Sequence, residues 1–189
     1  MIGILTAAAL VASAGDDVDT APVIASDHAI ATLATPAAPY KAARLYWTGE
    51  SETTPANDCH LAIQTEHGWT VAPAGTDCWG IGRYYRRLAV QEFAVKAGLL
   101  WLRLEEESSD PDEGGTSHTD YLVICGLADG APRCTAPIET GYMFDVTRKW
   151  KVKASLSKGA LVLTLQTGKR SALPAETAAL LGRSTLSFK

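Results

Sequence analysis

The sequence lacks an excess of positive charge, and it lacks any apolar run long enough to cross a membrane. Its 17 lysines and arginines are outnumbered by 21 aspartates and glutamates, which gives a formal net charge of -4. Binding to nucleic acid or to an anionic membrane through bulk charge requires a basic protein, so this balance argues against both partners. A spanning helix needs about 20 consecutive apolar residues. We therefore expect no integral membrane segment in the mature chain.

Assembled catalytic motifs are also missing from the sequence. No Gly-x-Ser-x-Gly is present, and Gly80-Ile-Gly82 has no third glycine and no helical pattern behind it. Ser155 and Lys158 match the Ser-x-x-Lys spacing of penicillin-recognising enzymes, but that chemistry needs a helix, and here they fall on a predicted strand and turn. The sequence therefore indicates no catalytic residue, no cofactor-binding residue and no cofactor, and we expect a protein that is not an enzyme.

Residues 1–14, MIGILTAAALVASA, have the features of a signal peptide. They are apolar and end in Ala12-Ser13-Ala14, a pattern that signal peptidase accepts, although no lysine or arginine precedes the apolar segment. An N-terminal core helix is the alternative. We predict export to the periplasm or the extracellular space. Residues 15–40 are rich in Ala, Thr, Pro and Asp without a hydrophobic period, which predicts a flexible, disordered leader.

Residues 41–189 show short runs of alternating apolar and polar residues separated by turn-forming residues. This pattern predicts one all-β, antiparallel, hairpin-rich domain, with a small barrel or a sandwich favoured over a trefoil. A turn at Lys158-Gly159 predicts a hairpin with the pairs Val152–Leu165, Ala154–Leu163, Leu156–Leu161, Lys153–Thr164 and Lys151–Gln166. A turn at Ala97-Gly98 predicts a second hairpin with the pairs Val95–Leu100, Phe93–Leu102, Gln91–Leu104 and Glu92–Arg103, the last of them an opposite-charge pair.

The four cysteines predict two disulfides. An Asp129-Gly130 turn places Cys125 opposite Cys134, at a non-hydrogen-bonded position where the Cα atoms are about 4.5 Å apart. That separation is suitable for a disulfide. Cys59 and Cys78 are then paired by elimination, as expected for an even number of cysteines in an exported chain. A zinc site is the competing interpretation, but the spacings do not fit a zinc motif.

The stretch TDYLVICGLADGAPRC, followed by Ile138, resembles the second disulfide hairpin of soybean-type Kunitz inhibitors. These inhibitors are β-trefoils with two disulfides, and the resemblance is the source of the trefoil alternative. It is confined to this hairpin. The first cysteine loop of the present sequence is much shorter than in that family, so we assign the chain to no family.

Four groups of residues are candidates for a site, and each has a simpler structural explanation. An acidic run could hold calcium, although its spacing fits no complete EF-hand loop and a solvated loop is favoured. His60 and His67 could face each other across a hairpin and bind a metal, or lie on the surface as two separate side chains. The cluster Arg83–Arg87 could form a binding surface, and the tryptophans could line a cavity, although packing explains both. The acidic run consists of Glu105, Glu106, Glu107, Asp110, Asp112 and Glu113, and the tryptophans are Trp47, Trp69, Trp79, Trp101 and Trp150.

We therefore expect a non-catalytic, exported binding or envelope-associated β domain that contacts an unknown protein or small ligand. A secreted protease inhibitor is the first alternative, with a rigid loop around Asp129 that blocks a protease. A small secreted hydrolase built from dispersed acidic residues is the second. It would need two carboxylates that converge in a pocket.

Overall fold

A computed structural model describes residues 29–48, 57–81, 85–110, 114–157 and 160–186. The predicted signal peptide, residues 15–28 of the leader and the predicted Lys158-Gly159 turn lie outside them. Within these ranges the chain forms twelve strands and one short α-helix. They are β1 (Ala29–Thr32), β2 (Ala42–Thr48), β3 (Asn57–Thr65), β4 (Gly68–Ile81), β5 (Tyr85–Lys96), β6 (Leu99–Asp110), β7 (Gly115–Ala128), β8 (Ala131–Cys134), β9 (Ile138–Phe144), β10 (Thr147–Ser157), β11 (Ala160–Thr167), α1 (Ala175–Ala179) and β12 (Gly182–Ser184).

The strands form one antiparallel sheet in which neighbours along the chain are neighbours in space. The order is β1 to β7, then β9 to β12, while β8 pairs with β7 alone. The long strand β7 serves two partners, because β9 pairs with its first half and β8 with its last four residues. The predicted all-β, antiparallel fold is confirmed. The expected closed barrel, and with it the trefoil, is wrong, since the end strands β1 and β12 do not pair with each other. Hydrogen bonds join the twelve described strands into one continuous sheet, and the sandwich stays a prediction.

Part of the β6–β7 pair is buried on both faces, from Leu99 to Leu102 on β6 and from Tyr121 to Cys125 on β7. Leu100, Leu102 and Val123 belong to one core cluster, and the residues between them in sequence, such as Trp101 and Leu122, belong to another. The first cluster is completed by side chains from β1, β2, β3, β5 and β8, and the second by side chains from β9, β10, β11 and the segment around α1. The N-terminal strands therefore cover one face of the β6–β7 pair, and the C-terminal strands cover the other.

The β domain begins earlier than the sequence predicts. The sequence predicts that residues 29–40 belong to the leader, but β1 pairs with β2, and the Leu33 N–H donates to the Ala43 carbonyl at 2.8 Å. Leu33 and Tyr40 are buried in the first core cluster, and the Tyr40 hydroxyl donates to the Cys125 carbonyl at 2.9 Å. This segment is short and lacks a clear period, so its strand gave little signal in the sequence.

The hairpin registers are confirmed near the turns and fail where a bulge intervenes. In β10–β11 all the predicted pairs form except the one furthest from the turn, where Lys151 faces Thr167 instead of Gln166 because the register shifts. In β5–β6 the turn residues Ala97 and Gly98 both have positive φ. Glu92 faces Arg103 as predicted, but Gln91 is bulged out and Val90 takes its place opposite Leu104.

No helix within the described ranges is long and apolar enough to cross a membrane. The short helix α1 follows Pro174, a residue type that suits the start of a helix because its missing N–H would have no partner there.

The Tyr40 hydrogen bond provides a test of the N-terminal boundary. We expect Tyr40→Phe to lower the free energy of unfolding by about 1–2 kcal/mol, because the substitution leaves a buried carbonyl without this donor. Urea denaturation measures the change. Tyr142→Phe is the matched control, since Tyr142 is partly buried and its hydroxyl has no hydrogen-bond partner among the described residues. Equal, near-zero effects of the two substitutions would contradict the placement of Tyr40.

Candidate functional site: a polar groove across the sheet

One face of strands β6 and β7 changes from apolar to charged halfway along the strands. On β6, Trp101 belongs to the second core cluster, while Arg103 and Glu105 follow at alternate positions. On β7, Leu122 belongs to the same cluster, and Asp120 precedes it on the same face, opposite Glu105. Side chains of a strand alternate between the faces, so these charged residues continue the face that the second core covers elsewhere.

The charged half of this face forms an open groove of about 400 Å³. It runs across the sheet from β5 to β10, and its lining contains three carboxylates and three basic side chains. The lining residues are Gln91, Glu92, Arg103, Glu105, Asp120, Arg148 and Lys151. We call this feature the polar groove.

The Glu92 carboxylate pairs along its own strand. Its Oε1 lies 2.6 Å from Lys96 Nζ, and this ammonium also lies 5.0 Å from the centre of the Trp101 ring. Arg103 faces Glu92 across the strands, as the sequence predicts. The expected opposite-charge contact is nevertheless replaced by the Glu92–Lys96 pair, since Arg103 makes no ion pair with any described residue.

Two side chains, Gln91 and His118, hold Glu105. Gln91 donates through Nε2 to Glu105 Oε2 at 2.9 Å, and His118 Nδ1 lies 3.0 Å from Glu105 Oε1. The bulge in β5 places the Gln91 side chain at the groove, which explains why a strictly alternating register misplaced it.

Asp120 forms the best-buried ion pair of the groove. Arg148 Nη1 donates to Asp120 Oδ2 at 2.9 Å, and the two side chains are 30% and 13% exposed, respectively. Asp120 faces Gly141 on β9, next to a register shift at Thr140. A Cβ atom at Gly141 would collide with the Asp120 carboxylate and lie 3.0 Å from Arg148 Nη1. The carboxylate therefore occupies the space that the missing side chain leaves.

The remaining two basic residues of the lining are not neutralised. Arg103 and Lys151 are half-buried, and neither has a hydrogen bond or an ion pair with any residue in the described ranges. The three carboxylates, in contrast, each have a partner. The groove can therefore offer hydrogen-bond donors and positive charge to a ligand, whereas its carboxylates are already in contact with other side chains.

The predicted disulfide between Cys125 and Cys134 is confirmed. The two residues face each other across β7 and β8, and the Cα atoms are 4.0 Å apart. Asp129 and Gly130 both have positive φ, as the predicted turn requires. Cys59 is buried and is not a free thiol. The side chain of Cys78 lies outside the described residues, so the Cys59–Cys78 bond stays a prediction.

The acidic run is a strand and not a loop. Glu105 to Asp110 form the end of β6, where side chains alternate between faces, and Asp112 and Glu113 lie outside the described residues. His67 lies in the β3–β4 turn, whereas His60 faces Pro73, so the two histidines are not opposed. Among the described residues, no three His, Cys, Asp or Glu side chains are grouped to hold a metal ion.

The other candidates contribute little to this groove. The side chains of Arg83–Arg87, Trp47 and Trp79 lie outside the described residues. Trp101 and Trp150 are core residues of the second cluster, as the packing interpretation predicts. Ser155 is an exposed residue of β10.

A second cleft lies between β9 and α1. It contains Glu139 and Glu176 among apolar residues such as Ile138 and Leu180. Burial, and then the charges of Glu176 and Glu106, raise the pKa of Glu139. The ionised form is therefore disfavoured in the fold, and the stability that protonated Glu139 contributes is lost as the pH rises through its raised pKa.

No protein-family model, curated protein or solved structure matches this chain.

The close approach of Gly141 to Asp120 can be tested directly. We expect Gly141→Ala to lower the free energy of unfolding by about 1–3 kcal/mol, because the added methyl displaces the Asp120 carboxylate from Arg148. Chemical denaturation measures the loss.

The same substitution in an Asp120→Ala background provides the control. There it should cost clearly less, because the colliding carboxylate is absent, and the difference is the coupling between the two sites. Identical costs in both backgrounds would show that the collision does not involve Asp120.

Proposed function

We propose that this protein is an exported, non-catalytic binding module whose ligand lies in the polar groove. The observation that carries the proposal is the convergence of six charged side chains on one groove across the sheet face, with two of the basic ones unpaired among the described residues. Binding sites commonly combine a concave surface with a few polar groups that orient the ligand.

The contacts of the carboxylates favour binding over hydrolysis. A hydrolase that uses two carboxylates needs them free to contact the scissile bond or a water molecule. In the groove, Asp120 is held by Arg148, Glu105 by Gln91 and His118, and Glu92 by Lys96. These contacts hold the three carboxylates in the wall of the groove, so they are not free to act on a scissile bond.

The hairpin around Asp129 gives less support to the inhibitor alternative. Proteases bind their partners in extended conformation, as an added strand. The β7–β8 connection is a two-residue turn closed by the Ala128–Ala131 pair. A Cβ atom added at Gly130 would lie 3.7 Å from the His67 ring, so the turn lies close to this side chain. Such a turn offers no extended segment.

Two features support export. Residues 1–14 have the signal-peptide pattern described above, and the Cys125–Cys134 disulfide is the kind of bond that persists in an oxidising compartment.

Ligand binding in the groove can be tested by NMR with a blocked variant. Trehalose, trialanine, succinate and spermidine serve as neutral, zwitterionic, anionic and cationic probes. We expect at least one probe to shift amide resonances of β5, β6, β7 and β10. The shifts should be lost in Gln91→Trp, because Gln91 is exposed and a large ring there fills the groove.

Gln166→Trp is the matched control, since Gln166 is exposed on β11 and does not belong to the groove lining. It should bind as the unsubstituted protein does, and every probe should remain chemically unchanged after prolonged incubation. Conversion of a probe to product, or binding that Gln91→Trp leaves intact, would overturn the proposal.

A further inference from the structure

The distribution of ion pairs in the polar groove points to the charge of its ligand. All three carboxylates of the lining are engaged, and one of the three basic residues, Arg148, is engaged with them. The other contacts come from the uncharged lining residue Gln91 and, outside the lining, from Lys96 and His118. The positive charges of Arg103 and Lys151 are therefore not compensated by any ion pair within the described residues.

Half-buried, unpaired basic side chains are unusual in a wall that is otherwise paired. A charged group that loses part of its hydration is stabilised most strongly by a hydrogen-bonding partner of opposite charge. Arg103 lies beside Glu92, yet Glu92 is bound to Lys96 at 2.6 Å. Lys151 faces Gly141, which has no side chain to offer. On their other sides, Arg103 faces Leu122 and Lys151 faces Thr167, and neither basic side chain has a hydrogen bond or an ion pair with a described residue of these strands.

We propose that the polar groove binds a small anionic ligand, one that carries carboxylate, phosphate or sulfate groups, through Arg103 and Lys151. This inference rests on the proposed function and specifies its ligand. A guanidinium is suited to bidentate contact with such groups, and an ammonium contributes a point charge.

The positions of the two residues also suggest the size of the ligand. Arg103 is on β6 and Lys151 on β10, which are three strand spacings apart in the sheet order β6–β7–β9–β10. At about 4.8 Å per spacing, the two strands are roughly 14 Å apart across the sheet. A separation of this size suits a ligand with more than one anionic group.

Isothermal titration with citrate, inorganic phosphate and sulfate at fixed ionic strength tests the proposal. Citrate should bind most tightly, because it presents several carboxylates. We expect Arg103→Gln and Lys151→Gln each to weaken citrate binding about tenfold or more, as expected for the loss of a charge-assisted hydrogen bond. The affinity should also fall as the salt concentration rises.

Two substitutions provide matched controls for lost charge. Lys153→Gln removes an exposed lysine two residues along the same strand, and Arg133→Gln removes an exposed arginine on β8; neither residue belongs to the groove lining. Both variants should bind citrate within about twofold of the unsubstituted protein. Thermal unfolding without ligand verifies that each variant is folded, and Lys151→Gln alone suffices should Arg103→Gln fail to fold.

The outcomes separate this inference from the proposed function. Binding of trehalose or spermidine in the groove, without binding of any anion, would overturn the anionic ligand and leave the binding module standing. Anion binding that the Arg103 and Lys151 variants do not weaken would also overturn it, because the anion then binds elsewhere. Absence of binding by every probe would overturn both proposals. The anion that binds most tightly identifies the chemical group that the groove recognises.

Discussion

The burial of the β6–β7 pair on both faces is the constraint on which the rest of the structure depends. An antiparallel sheet commonly has one face in the core and one in water, and its strands then alternate strictly. Here the consecutive residues Leu99 to Leu102 and Tyr121 to Cys125 all contact one of two cores. One open sheet can satisfy both faces only if its two ends cover opposite sides of this pair. That requirement places side chains of β1, β2, β3 and β5 over one face and side chains of β9, β10 and β11 over the other.

The polar groove is a consequence of the same arrangement. The second core ends at Trp101 and Leu122, and the next residues on that face, Arg103 and Asp120, are charged. The register shift at Thr140 and the absence of a side chain at Gly141 leave room for the Asp120–Arg148 ion pair beside the core. A bulge therefore marks the boundary between packing and the site, as bulges often do near functional positions.

Local features of the fold could be predicted from the sequence, whereas the site could not. The Asp129-Gly130 turn and the alternation of hydrogen-bonded and non-hydrogen-bonded pairs around it are sufficient to predict the Cys125–Cys134 disulfide, because a two-residue turn fixes the register. The register counted from the Ala97-Gly98 turn is wrong at Gln91, because a bulge adds a residue there without any clear sequence signal. The groove draws on β5, β6, β7, β9 and β10, so its assembly depends on strand order, which no single hairpin reveals. The apolar runs in β6 and β7 were the available signal for two-sided burial.

Hydrogen exchange of the backbone amides tests the central role of the β6–β7 pair most directly. Amides in the core of a sheet exchange only through its most costly opening, and end strands exchange through local fraying. The slowest amides should lie in Leu100 to Leu104 and Leu122 to Cys125, and those of β1, β11 and β12 should exchange faster. If the amides of β6 and β7 are protected no more than those of β1, β11 and β12, the result would contradict the account that both cores form around the β6–β7 pair.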